Sequence, residues 1–152
     1  MEENEYRSAY KSLNPHKCIF EKAINSRRCQ CDASERFNLA DREGVACADA
    51  LLLKRCQQYL HCMREKARFS LQLTQVNGPL PHAKEIRVQL ASILELHRIM
   101  HNSEADNGAP LPNIRELIAS GIEQYGDLDS FPYPDLIKAI SQFKSRQKRQ
   151  KK

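Results

Sequence analysis

All six cysteines of the chain lie between Cys18 and Cys62, in the pattern C-x10-C-x-C-x15-C-x8-C-x5-C, and residues 63–152 hold none. Thiolates bind soft and borderline metals, and four of them complete the shell of a zinc ion or an iron–sulfur cluster. The clustering predicts a cysteine-ligated metal centre on Cys29, Cys31, Cys47 and Cys56. An iron–sulfur cluster is expected ahead of zinc, because the paired C-x2-C knuckles of structural zinc sites are missing. The ferredoxin spacings are missing as well, so the expectation rests on density, not on a signature motif. Two alternatives stay open: redox-active thiols without metal, and small buried side chains that only fill a core.

Geometry sorts the six. Cys29-Gln30-Cys31-Asp32 reads as a turn, which can aim both thiols one way. Cys47 falls in a short loop, and Cys56 shares a helical face with Leu52 and Leu60. Cys62, six residues on, lies roughly 240° round that helix and should face elsewhere. Cys18 joins the set only if its helix ends early, since an unbroken helix would part it from Cys29 by roughly 16 Å. Arg27, Arg28 and Arg36 crowd the same region, either offsetting the negative charge of a thiolate centre or pairing with Glu21, Glu35 and Asp32.

The elements that must position these residues read as helices. Residues 1–13 look like a frayed, flexible leader, and Asn14-Pro15 is a cap-and-Pro helix start carrying Cys18, Ile19, Ala23 and Ile24. A second helix is predicted from Asp32 or Ser34, with Phe37, Leu39 and Ala40, ending at Gly44. A third runs from Asp49 to about Thr74 on the stripe Leu52, Cys56, Tyr59, Leu60, Met63, Ala67 and Leu71. A fourth starts near Pro81 and carries Ile86, Leu90, Ile93, Leu94, His97 and Met100. A loop over residues 102–112 leads to a fifth, from Pro112 to Gly126, and Pro134 opens a sixth. No stretch alternates with period two, so no sheet is expected. The fold class is all-α: one helical domain over 14–143, a bundle of about five to six helices with a cysteine-rich N-terminal half.

The net charge of +5 is concentrated at the end of the chain, in Lys144, Arg146, Lys148, Arg149, Lys151 and Lys152. This basic tail, 144–152, is either a solvated helix end or a contact for nucleic acid or another anionic surface. The body is near neutral, and no apolar run approaches the roughly 20 residues of a membrane span. The N-terminus is acidic and polar without a signal-peptide core, which points to the cytoplasm, where thiols stay reduced. His97 and His101 stand at i, i+4 without a third ligand, and His16 and His61 lie near Cys18 and Cys62. No nucleophile elbow, phosphate-binding glycine loop or H-E-x-x-H occurs, so nothing in the sequence supports an enzyme.

The runs CIFEKAINSRRCQCDASERFNLADREGVAC, RCQQYLHCMREKARFSL, PHAKEIRVQL and YGDLDSFPYPDLIKAI carry a resemblance. Over residues 15–148 the chain resembles a set of small, cysteine-rich bacterial proteins with no established activity. The resemblance implies that Cys18, Cys29, Cys31, Cys47, Cys56 and the basic tail belong together, with Cys62 outside the set. Leu90 stands where a further cysteine is expected, which leaves the fourth helix without a ligand. The functional expectation is an iron–sulfur protein of electron transfer, cluster handling or redox sensing. The alternatives are a zinc-stabilised helical adaptor whose basic tail touches nucleic acid or a protein partner, and a metal-free helical interaction module.

Overall fold

The computed structural model describes residues 2–72, 80–101 and 111–143, which are mostly helical. In chain order they form α1 (Glu3–Leu13), α2 (Glu21–Asn25), β1 (Ser34–Leu39), β2 (Arg42–Cys47) and α3 (Ala50–Lys66). Then follow α4 (His82–Ile86), a π-helical segment (Arg87–Ala91), α5 (Ser92–His101), α6 (Ile114–Tyr125), a 3-10 turn (Leu128–Ser130) and α7 (Tyr133–Gln142). The basic residues 144–152 lie outside the described residues.

Local chemistry explains the helices that were expected. Asp49 caps α3 by accepting from the N–H groups of Leu51 and Leu52 at 2.9 and 3.2 Å, two donors that would otherwise lack partners. Arg64 and Lys66 stand in the last turn, where cations favour the helix dipole. Gly126 ends α6 at φ 97°, the left-handed backbone that glycine adopts without strain, and its N–H reaches Ile122 O at 2.8 Å. The π segment between α4 and α5 buries Val88, Gln89, Leu90 and Ala91, so Leu90 is a core residue.

Three expectations change. Where a second helix was predicted, β1 and β2 form an antiparallel hairpin with Leu39 opposite Arg42 and Phe37 opposite Gly44. Its two-residue loop is Ala40-Asp41, at φ 50° and 65°, the left-handed pair that a tight hairpin demands. Gly44 is therefore no helix end: the Phe37 ring covers it, and an added Cβ would meet Phe37 Cε1 at 2.8 Å. The fold is mostly α with one two-stranded sheet. The first helix of the bundle is also shorter than expected. Residues 16–18 run extended along β2, with Cys18 N–H on Val45 O at 2.9 Å and Cys47 N–H on His16 O at 2.8 Å, before α2 begins. Finally, residues 1–13, expected as a leader, hold α1. It lies on the hairpin through Tyr10 and Phe37, ring centroids 5.7 Å apart, and through Arg42, which pairs with Glu3 at 2.9 Å.

The core sits between α3, the α4–α5 run, α6 and α7. Tyr59, Leu60, Met63, Ile93, Leu96, Ile118, Leu136 and Ile140 are all shielded from water. Tyr59, fully buried, satisfies its hydroxyl on Ser92 Oγ at 2.9 Å and packs its ring against Phe20 and Phe131. Phe20 thereby ties the segment after Cys18 to this core. Among the described residues, no helix is long and apolar enough to cross a membrane.

Candidate metal centre

Four segments bring four thiols to one place. Cys18 arrives on the extended strand-like run beside β2, and Cys47 ends β2 itself. Cys56 projects from α3, and Cys31 comes from the loop between α2 and β1. All four line one small cavity of about 20 Å³, together with Phe20, Leu52 and Ile114. The loop carrying Cys31 is fastened to the start of α6. Gln30 N–H bonds Pro112 O at 2.9 Å, Ile114 N–H bonds Gln30 O at 2.8 Å, and Asp32 pairs with Arg115. A residue from the cysteine-free half of the chain thus fixes the position of Cys31.

Of the four expected ligands, Cys31, Cys47 and Cys56 line the cavity and Cys29 does not. Cys29 is buried to 1% exposure, near the charges of Arg28 and Arg36. Cys18 takes the fourth place, because its helix begins after it instead of running through it. Cys62 lies apart, as expected, with its thiol directed at Asp129 Oδ1 at 3.8 Å. Arg27 and Arg36 pair with Glu43, and Arg28 lies over the Phe143 ring at 5.4 Å. Asp32 goes to Arg115, whose guanidinium holds that carboxyl down to about 2. Two other guanidinium groups act here: Arg115 lines the cavity, and the Arg55 charge opposes the rise of the Cys56 thiol. Neither was singled out from sequence; Arg115 is 83 positions from Asp32, and no local pattern links them.

Burial pushes the Cys18 and Cys56 thiols up to about 12 and raises that of Cys31 as well. The opposing influences are specific. The Phe20 backbone favours the Cys18 thiolate, and the backbones of Ala33 and Arg115 favour that of Cys31. The thiolate is the form a metal requires. Cys47 directs its thiol to Asp49 O at 3.2 Å.

As they stand, no three His, Cys, Asp or Glu side chains among the described residues are arranged to hold a metal ion. The four thiols surround a space; they do not meet at one point. A tetrahedral zinc would draw their sulfurs to about 3.8 Å apart, whereas a cluster interposes its own iron and sulfide atoms and holds them wider. The cavity itself admits about one water-sized sphere, so a cluster needs its walls to move outward. Cys47 is half-buried, and its thiol contacts the Asp49 carbonyl, while its backbone is held by His16 O. The donor set and the apolar lining fit a thiolate-bound group. His97 and His101 face each other on α5, centroids 4.4 Å apart, and burial followed by the His101 charge lowers the His97 imidazole. The chain matches no protein-family model, no curated protein and no solved structure with which it was compared.

Proposed function

We propose that Cys18, Cys31, Cys47 and Cys56 hold an iron–sulfur cluster, and that the protein works in electron transfer, cluster handling or redox sensing. The observation that carries this reading is the convergence of four thiols from four separate segments on one apolar cavity. Without a cation, the thiolates of Cys18, Cys31 and Cys56 are disfavoured by burial; a bound metal displaces the protons and takes up the negative charge. When bound, the cluster supplies one-electron chemistry. The chain supplies the rest. Phe20, Leu52 and Ile114 keep water from the sulfurs, the backbones of Phe20, Ala33 and Arg115 favour added negative charge, and Arg55 and Arg115 offset it.

A second reading, a single structural zinc, is favoured by one observation: a cavity of about 20 Å³ takes one ion with little movement. It fits a helical adaptor whose tail, Lys144 to Lys152, would contact nucleic acid or a protein. The two separate on anaerobic reconstitution with iron and sulfide. The cluster reading expects visible thiolate-to-iron absorbance, lost in Cys18→Ser and Cys31→Ser and kept in Cys29→Ser and Cys62→Ser. Retention of zinc and no iron selects the second. Colour that survives Cys18→Ser and vanishes in Cys29→Ser overturns the ligand set.

A further inference from the structure

We infer a second binding site, for a small amino acid-like dicarboxylate, in the cleft bounded by α2, α3 and α4. The cleft measures about 480 Å³, within the range of roughly 300–1,000 Å³ usual for small-ligand pockets. Its polar wall is made by Lys17, Lys22, Gln57, Arg64, Glu85 and Gln89. Glu85 is 5% exposed and Gln89 3%, and groups of this kind are seldom buried so far unless fully paired.

Here the pairing is incomplete. Glu85 Oε1 accepts from Arg64 Nη2 and from Gln89 Nε2, the latter at 3.0 Å. Glu85 Oε2 and Arg64 Nε have no hydrogen-bond partner among the described residues. Both charged side chains line the cleft, and each keeps one buried atom without a hydrogen-bond partner among the described residues. Gln89 is fixed from the other side, accepting Ala23 N–H at 3.1 Å, and it sits on the π segment, a helix form frequent at binding sites.

The lining also states what would satisfy it. Lys17, Lys22 and Arg64 line the cleft with Glu21 and Glu85; Lys22 Nζ lies 3.1 Å from His82 Nδ1, and Glu21 already accepts from the Tyr10 hydroxyl and from Val45 N–H. The cleft is thus cationic, with Glu85 as its available acceptor. An ammonium group matches Glu85, carboxylates match Lys17, Lys22 and Arg64, and Ile19 and Leu80 offer apolar contact to a short methylene chain between them. Cys18 and Ile19 line this cleft and the thiol cavity alike, so the two sites share a wall. The inference does not depend on a metal.

Calorimetric titration of the full chain with L-glutamate tests it, with glutarate, which lacks the nitrogen, as the paired probe. L-glutamate should bind saturably and glutarate about tenfold more weakly, the loss expected for one charged hydrogen bond. The Lys17→Ala/Lys22→Ala double variant changes rim residues and should weaken L-glutamate by a similar factor. Glu85→Gln should abolish the difference between the probes; if that variant does not fold, the glutarate contrast and the lysine variant decide. No saturable heat from L-glutamate up to about 10 mM, equal binding of the two probes, or wild-type binding by the lysine variant overturns the proposal.

Discussion

Raising the pH should unfold the reduced, metal-free protein well before ordinary alkaline denaturation. Burial pushes the thiols of Cys18, Cys29 and Cys56 up to about 12, whereas an unfolded cysteine titrates near 8.5. Below about pH 8.5 both states keep the proton and stability is unaffected. Between about 8.5 and 12 the unfolded chain releases protons that the folded chain retains, so stability falls by about 1.4 kcal/mol per pH unit for each thiol. By pH 10 that amounts to about 2 kcal/mol per thiol, or about 4 to 6 kcal/mol for the three once the partial exposure of Cys56 is allowed for. A domain of this size is stable by only about 5–15 kcal/mol, so the change is large. Urea titrations at pH 7, 8, 9 and 10, followed by circular dichroism, measure it; the midpoint should drop by about 2–3 M. Cys29→Ala should remove about a third of the slope. Filling the centre should remove the shares of Cys18 and Cys56, because ligating thiolates hold no proton. A midpoint that stays level from pH 7 to 10 refutes the reasoning.

Other changes follow from packing and pairing. At Gly121 an added Cβ would stand 2.6 Å from Phe131 Cζ, so Gly121→Ala should lower stability by about 1–3 kcal/mol in thermal melts, and a neutral result would mean that Phe131 does not pack there. Glu85→Ala strands the Arg64 guanidinium, whose side chain is 13% exposed, and should destabilise by about 3–5 kcal/mol, measured by urea unfolding; a loss below about 1 kcal/mol would show the pair to be solvated. Asp49→Ala removes the cap of α3 beside Cys47 and should lower stability by about 1 kcal/mol, with faster amide exchange at Leu51 and Leu52 as its signature.

Helices with a sustained apolar stripe and a chemical stop at each end were legible in the sequence. Tyr59, Leu60 and Met63 of α3 and the glycine end of α6 fall where periodicity and capping place them. However, α3 ends at Lys66 instead of near Thr74, and the α4–α5 run buries Val88 to Ile93 and Leu96 where Leu94, His97 and Met100 were expected. The hairpin was not legible, for a definite reason. Its loop is Ala40-Asp41, which adopts the left-handed backbone without the Asn-Gly or Asp-Gly pair that announces such turns. Its strands carry polar residues on both faces, and Gly44, which serves the Phe37 ring, mimics a helix end. The same misreading displaced one thiol. Cys18 looked helical through its spacing to Ile19, Ala23 and Ile24, yet it pairs with β2, a contact 27 positions away that no local pattern encodes. Cys31, Cys47 and Cys56, singled out through density and helix phase, line one cavity, but the anchoring of Cys31 through Asp32 and Arg115 depends on tertiary contact alone.

The most direct test of the account is the iron, sulfide and zinc content of protein purified without oxygen, compared between the wild type, Cys18→Ser and Cys29→Ser. The account predicts iron with matching sulfide in the wild type and in Cys29→Ser, and its loss in Cys18→Ser. Protein that carries neither iron nor zinc, or iron that depends on Cys29 and not on Cys18, contradicts it.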